Sequence, residues 1–277
     1  MFLEAFGGDF KVEALSRREW DRFIRKRRSG EVAPPGSKGR PVGDRQIAYD
    51  LKFLIGVLNW ATTAGDGRRR RLLNANPVTG LKVPKEENPT RVRLDDEEYA
   101  ALLGVASRVD WRFELALVVA HETGRHIGSI RQLRWIDIDL EKSSVRWREE
   151  TDKMGYERTT PLTLGAVAAL RRARAAHPSV GESWVFPAPN DPSTPCRGDL
   201  MTKWWNRAVK LAGLPPKERR GWHSLRRKFA TGLKDFSMAV LLELGGWKTE
   251  RTILKCYQVV DDESLKVALE SRSRRVS

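Results

Sequence analysis

Apolar residues recur every three or four positions in the first part of the chain, a spacing that predicts amphipathic helices. One helix is predicted over SRREWDRFIRKRR at 16–28, and a longer one over 44–65, where Leu51, Ile55 and Leu58 share a face. A segment rich in Pro and Gly separates the two and excludes regular structure between them. This part of the chain is therefore predicted to be a small helical domain.

The second part of the chain combines more helical patterns with one short alternating pattern. Helices are predicted at about 94–107, 110–122, 125–134, 164–177, 200–213, 224–234, 237–246 and 263–272. Weak alternation in SSVRWREE at 143–150 predicts a strand, with ERTTPLT at 157–163 as its partner and DKMG at 152–155 as the turn. The expected fold class is mostly α with a small β-hairpin or sheet.

A polar, Pro-rich stretch at 76–93 interrupts the helical pattern, and we place an interdomain linker at about 84–92. Residues 1–86 are predicted to form the first domain and residues 93–277 the second. Two domains joined by a flexible link suit a clamp around a duplex, because opening requires only the link to bend.

An excess of basic residues narrows the class of partner. The chain has 51 Lys and Arg against 36 Asp and Glu, a net charge of +15. Lys and Arg that bind phosphates release condensed counterions, so this excess favours nucleic acid over a membrane surface. No long apolar run and no signal-peptide pattern occur, so we expect a cytoplasmic protein with no membrane partner. The run RRRR at 68–71 is either a solvated face or a phosphate-contacting patch.

Cofactors and metals are not indicated by the sequence. The two cysteines, Cys196 and Cys256, lie far apart without a CxxC spacing, and the four histidines show no HxxxH or HExxH pairing. No GxxxxGK[ST] loop for a nucleotide is present. Any phosphate chemistry is therefore expected to use side chains alone.

Five motifs follow one another in the second part of the chain. They are TGRHIGSIRQLRWIDID (123–139), TDKMGYERTTPLT (151–163), HSLRRKFAT (223–231), LGGWK (244–248) and ILKCYQ (253–258). In order and approximate spacing they resemble the tyrosine recombinases, the phage integrase family. The resemblance covers about 95–270, and the first domain resembles the family's core-binding domain more loosely. It implies a site-specific recombinase or integrase that acts on double-stranded DNA as a homotetramer.

The resemblance makes Tyr257 the nucleophile that attacks a DNA phosphodiester and forms a 3′-phosphotyrosyl link. Charge that develops on the phosphate must be stabilised by fixed cations, and a guanidinium matches two non-bridging oxygens. Arg226 fits this role. His223 shares its helical face and can bind the phosphate or help to take the tyrosine proton. Cys256 stands in the position that the tyrosine occupies in many relatives, but a thiol would give a labile link of a different kind.

Two further residues match the family. Lys153, at the tip of the predicted hairpin, corresponds to the lysine that acts as general acid for the leaving 5′-oxygen. Trp247 stands where many relatives have a histidine and some a tryptophan. Its indole N–H can donate to a phosphate oxygen, and the alternative is an ordinary core tryptophan.

The family's first catalytic arginine follows Thr-Gly by two or three residues, which leaves Arg125 and His126 as candidates. In typical members this arginine stands eleven positions before the aspartate that corresponds to Asp137, and that register selects His126. A helix over 125–134 would agree, because position 126 lies on its apolar stripe and position 125 on its polar side. Ser129, in turn, stands where relatives often have a supporting glutamate.

We therefore expect His126 in the arginine's place, Arg125 pointing away from the phosphate, and cleavage slower by roughly 10²- to 10³-fold. One competing hypothesis is that Arg125 supplies the guanidinium after a local shift. Another is a catalytically impaired relative that only binds DNA. A third is a basic nucleic-acid-binding protein whose motif matches are accidental.

Overall fold

A computed structural model describes residues 1–65, 71–85, 92–152, 155–215, 220–258, 265–266 and 269–270. The chain divides into two compact units, Met1–Thr90 and Arg91–Ser277. Most of the RRRR run, most of the linker predicted at 84–92 and most of the helix predicted at 263–272 lie outside the described residues. Lys153 lies outside them as well.

The N-terminal unit is built from short and long helices around one apolar cluster. Its helices in the described residues are α1 (Phe2–Phe6), α2 (Arg17–Ser29) and α3 (Asp44–Thr63). Trp20 and Phe23 of α2 and Ile47 of α3 are buried members of this cluster. The buried Arg27 of α2 donates from Nε to Asp50 Oδ2 of α3 at 2.8 Å, which joins the two helices by a charged hydrogen bond.

The C-terminal unit is mostly helical with two small antiparallel sheets. Its elements are α4 (Asp96–Ala106), α5 (Trp111–Thr123), α6 (Ile127–Ile130), β1 (Ile138–Asp139), β2 (Ser144–Trp147), β3 (Arg158–Pro161), α7 (Leu164–Ala176), β4 (Pro187–Ala188), β5 (Asp191–Pro195), α8 (Gly198–Leu211), α9 (Trp222–Gly232), α10 (Met238–Gly245) and α11 (Glu250–Cys256). The mostly helical fold class with a small sheet is confirmed. The β4–β5 pair and α11 were not predicted.

Helix α5 lies at the centre of this unit, in contact with α4, α7, α8 and α9. Neighbours on so many sides explain why its sequence is apolar on most faces, with Phe113, Ala116 and Leu117 fully buried. The helix ends at Gly124, whose φ of 61° is left-handed and terminates the helical hydrogen bonding. The chain thus changes direction at a fixed point.

The predicted hairpin is present and forms a three-stranded sheet in the order β1-β2-β3. Val145 pairs with Thr160 and Trp147 with Arg158. The indole N–H of the buried Trp147 donates to Thr160 Oγ1 at 2.8 Å, so its polar atom is satisfied inside the core. This register fixes the two ends of the loop between β2 and β3.

The helix predicted over 125–134 is wrong at both ends, since α6 covers only Ile127–Ile130. His126 is the extended residue before α6, and its Nδ1 accepts a hydrogen bond from Gly128 N–H at 3.1 Å. Because Gly124 has already ended α5, residues 125 and 126 belong to neither helix. Helix phase therefore says nothing about where their side chains point.

Replacing Gly124 by alanine is expected to destabilise the C-terminal unit. An added Cβ would lie 2.2 Å from the Phe229 ring, and the left-handed φ adds backbone strain. Strain of about 1–2 kcal/mol and overpacking of about 1–3 kcal/mol give a loss of roughly 2–5 kcal/mol, measurable by urea denaturation.

Gly104→Ala is the matched control, because Gly104 lies inside α4 with open space at its Cβ position. It should raise the free energy of unfolding by about 0.5–1 kcal/mol. Equal effects of the two substitutions would contradict the close approach at Gly124.

Candidate active site

Arg226 of α9 connects the segments that form the site. Its side chain is 7% exposed, and Nη1 donates to the carbonyl oxygens of Gly124 at 2.5 Å and Gly245 at 2.6 Å. Its Cζ lies 3.9 Å from the centroid of the Trp247 ring and 5.2 Å from that of Tyr257. One guanidinium thus holds together the ends of α5 and α10 and the segment around α11.

Tyr257 directly follows α11, and its backbone N–H donates to Ile253 O at 2.9 Å. Its ring centroid lies 5.2 Å from that of Trp247. Burial lowers the pKa of Arg226, whereas the charge of the Tyr257 phenol and its hydrogen bond to the guanidinium oppose that shift. The phenol of Tyr257 therefore interacts directly with the buried guanidinium group of Arg226.

Arg125 is buried in the same site, although the phase of the predicted helix placed it on a polar side. It is 5% exposed, and its Nη2 donates to the carbonyl oxygen of Glu243 at 3.2 Å. Its Nη1 lies 3.6 Å from Asp152 Oδ2, and its Cζ lies 4.9 Å from the centroid of the Trp147 ring. The left-handed turn at Gly124 redirects the chain, so this side chain enters the core instead of following a helix surface.

Arg125 and Arg226 affect each other electrostatically. Burial, and then the positive charge of Arg226, lower the pKa of Arg125 to about 10, while the carboxylate of Asp152 raises it. With a pKa of about 10, Arg125 still carries its charge at neutral pH, and guanidinium groups in general stay protonated in proteins. Two like charges are thus buried together in this unit, an arrangement that favours the approach of an anion.

Three buried donors in the site have no hydrogen-bond partner in the part of the chain that the structure describes. They are Arg125 Nε, Arg226 Nε and Trp247 Nε1. Leaving a buried donor unsatisfied costs about 1–3 kcal/mol, so such groups usually have a ligand or partner in the functional state. A phosphate group offers several acceptor oxygens and negative charge, and so suits these donors and the two guanidinium groups.

His126 and His223 lie beside each other, with ring centroids 4.8 Å apart in an edge-to-face arrangement. The exposed ring of His223 also lies 6.5 Å from that of Tyr257, centroid to centroid. Because Nδ1 of His126 accepts from the backbone, its neutral form carries the proton on Nε2 and can donate there. The two imidazoles thus lie side by side in the site, with that of His223 next to the tyrosine.

Two glycines allow the close packing of the site. A Cβ on Gly246 would lie 2.0 Å from Arg125 Nη1, and a Cβ on Gly245 would lie 1.8 Å from the Trp247 ring. Gly246 also has a left-handed φ of 66°. The Gly-Gly pair before the tryptophan was part of a motif in the sequence, but its role in admitting an arginine was missed.

The structure brings together six of the seven predicted site residues, and the seventh, Lys153, lies outside the described residues. Asp152 was not predicted, although its place beside the lysine in the turn was a signal. Among the described residues, no group of three or more His, Cys, Asp or Glu side chains could hold a metal ion. Within the same residues, no helix is both long and apolar enough to cross a membrane.

Comparison with known proteins points to one family. The family model described as "Phage integrase family" matches residues 92–264, more than half of the chain. A putative integrase/recombinase of Haemophilus influenzae is 24% identical over 196 residues, which are 68% of this chain and 60% of that protein. Tyrosine recombinase XerC of Xanthomonas axonopodis pv. citri is 29% identical over 121 residues, 43% and 39% of the two chains. The chain thus spans less than two thirds of these relatives.

Solved structures share the fold at low identity. The XerH site-specific recombinase bound to palindromic difH substrate, in a post-cleavage complex, matches with a TM-score of 0.72 at 18% identity. The match covers 97% of this chain and 76% of that one. The Tn1549 transposon integrase in complex with a circular intermediate DNA matches with a TM-score of 0.71 at 16% identity, over 95% and 87% of the chains.

Inorganic phosphate is expected to stabilise the C-terminal unit, because it would neutralise the paired guanidinium groups. At a concentration ten times its Kd, a ligand of the native state adds ~1.4 kcal/mol to the free energy of unfolding. Urea denaturation at increasing phosphate, with chloride at matched ionic strength, measures the effect.

Arg226→Gln should remove most of this phosphate dependence. Arg171→Gln, which changes an exposed arginine of α7, should leave it unchanged and also shows the general effect of phosphate on folding. The same phosphate dependence in both variants would argue against an anion site at Arg226.

Proposed function

We propose, because this chain belongs to the phage integrase family, that it cleaves and rejoins double-stranded DNA through a 3′-phosphotyrosyl intermediate. The family predicted from the sequence motifs is confirmed. The observation that carries the proposal is the contact of Tyr257 with the buried Arg226, next to donors that lack partners in the described residues. A nucleophile and an anion site are thus adjacent.

In the proposed reaction, Tyr257 Oη attacks the scissile phosphorus and the bond from phosphorus to the 5′-oxygen breaks. A phenol has an ordinary pKa of about 10, so the proton must leave during the attack. We assign His223 as the group that helps to accept it, since its ring centroid lies 6.5 Å from that of Tyr257. Lys153 is proposed as the acid that protonates the leaving 5′-oxygen, on the basis of the family resemblance.

We assign both Arg125 and Arg226 to the non-bridging oxygens of the scissile phosphate. A pentacoordinate transition state carries more negative charge than the ground state, so fixed cations already in place lower its energy. The burial of Arg125 against Asp152 favours it over His126 as the source of the second guanidinium. His126 would then add a hydrogen bond from Nε2, and Trp247 one from its indole N–H.

Double-stranded DNA is the proposed partner. The net charge of +15 favours a polyanion, and two of the similar structures are complexes of their proteins with DNA. Recombination exchanges strands between two sites, so we propose a homotetramer on two DNA sites as the active assembly.

Wild-type protein should form a covalent adduct with DNA, and Tyr257→Phe should form none, because the phenyl ring lacks the attacking oxygen. The substrate is a nicked suicide duplex with randomised sequence around the nick, and adducts that survive denaturation are separated on a gel. Cys256→Ser is the matched control and should retain adduct formation. An adduct that persists in Tyr257→Phe and disappears in Cys256→Ser would reverse the assignment of the nucleophile.

Arg125→Ala should slow adduct formation by roughly 10²- to 10³-fold, the usual effect of losing one transition-state contact. His126→Ala should slow it by less than about tenfold, because it removes a hydrogen bond and leaves both guanidinium groups. The measurement is the single-turnover rate of adduct formation, on DNA of the sequences recovered from the adducts of the previous experiment. The opposite order would restore the hypothesis that His126 takes the arginine's place. No adduct in any variant would favour a relative that only binds DNA.

A further inference from the structure

Asp152 is the buried carboxylate next to Arg125. Its side chain is 8% exposed, and Oδ2 lies 3.6 Å from Arg125 Nη1. The other carboxylate that acts on Arg125 belongs to Glu243, but that side chain is 63% exposed and pairs with Arg158 at 3.2 Å. An exposed charge is screened by solvent, whereas a buried one acts at nearly full strength. Asp152 is therefore the principal negative charge facing this guanidinium among the described residues.

The backbone that carries Asp152 is fixed by α6. Ser129 Oγ donates to the carbonyl oxygen of Thr151 at 2.8 Å, and Thr151 Oγ1 donates to Arg148 O at 3.0 Å. The N–H of Asp152 donates to the same Arg148 carbonyl at 3.1 Å. Ser129 thus holds the loop and not the arginine, although it stands where relatives often have the glutamate that supports their arginine.

We propose that Asp152 is a positioning residue that holds Arg125 against the scissile phosphate and replaces the carboxylate that position 129 does not provide. Compared with the family's sequence pattern, the arginine stands at 125 instead of 126, and the supporting carboxylate stands at 152 instead of 129. The proposal rests on the proposed function, in which Arg125 binds the phosphate.

The proposal links the general acid to the phosphate-binding arginine. Asp152 directly precedes Lys153 in the sequence. The residue next to the proposed general acid therefore also fixes the position of the Arg125 guanidinium. Without the Asp152 carboxylate, the Arg125 guanidinium would lose its buried negative partner and keep the positive charge of Arg226 as a neighbour. Repulsion between the two guanidinium groups would then move the Arg125 side chain away.

The first test uses the free protein and does not depend on activity. Asp152→Asn should lower the thermal unfolding midpoint in the wild-type background, because it leaves two guanidinium groups without their buried counter-charge. In an Arg125→Gln background the same substitution should lower the midpoint by less than half as much. Equal lowering in both backgrounds would overturn the pairing, whatever the protein does to DNA.

The second test measures single-turnover cleavage of the suicide duplex at saturating DNA. Asp152→Asn should slow cleavage about 10- to 100-fold, the effect of a misplaced catalytic group, with the Kd for DNA unchanged. In the Arg125→Gln background it should slow cleavage less than twofold further. Glu150→Gln removes an exposed carboxylate from the same loop and should change neither rate nor affinity.

The two proposals fail in different ways. If Asp152→Asn slows cleavage equally with and without Arg125, Asp152 does not act through Arg125, and the positioning role is overturned while the proposed function stands. If the wild-type protein forms no Tyr257-dependent adduct, the proposed function fails. The comparison of unfolding midpoints in the wild-type and Arg125→Gln backgrounds then decides alone whether Asp152 holds Arg125.

Discussion

The burial of two guanidinium groups side by side is the constraint on which the C-terminal unit depends. Arg125 and Arg226 are each less than a tenth exposed, and each must be stabilised by groups that its own chain provides. Backbone carbonyls, the ring of Trp247 and the carboxylate of Asp152 do this. Burying like charges opposes folding, and the donors that lack partners in the described residues add to that cost. The phosphate of the proposed function would offset both costs.

Much of the fold follows from local sequence patterns. The long helices are amphipathic or almost wholly apolar, so the spacing of their apolar residues was sufficient to predict them. The hairpin of β2 and β3 could be predicted from its alternating strand residues and the turn residues between them. The candidate site could be identified because its residues lie in motifs of fixed order. The short α11 has little periodicity of its own. The β4–β5 pair consists of polar and Pro-rich residues, which no strand pattern would select.

The position of Arg125 could not be predicted, and the reason is geometric. Register and helix phase both favoured His126, but phase applies only within one continuous helix. Gly124 ends α5 and α6 begins after His126, so the intervening backbone follows neither axis. Asp152 was missed because its one signal, its place beside Lys153 in the sequence, does not show which group its carboxylate faces. Its importance comes from a partner that is distant in sequence and close only after folding.

The hydrophobic contacts around the tyrosine are separate from those of the main core. Leu241, Trp247 and Ile253 form their own small cluster with Ala230, against which Tyr257 packs. Helices α10 and α11 have only eight and seven residues, so they gain little stability from their own hydrogen bonds. Local opening of α10 and α11 must separate this cluster and break the hydrogen bonds that Arg125 and Arg226 donate to α10, whereas global unfolding must also disrupt α5 and its neighbours. The tyrosine proposed as the nucleophile thus belongs to a small cluster whose opening would not require the main core to unfold.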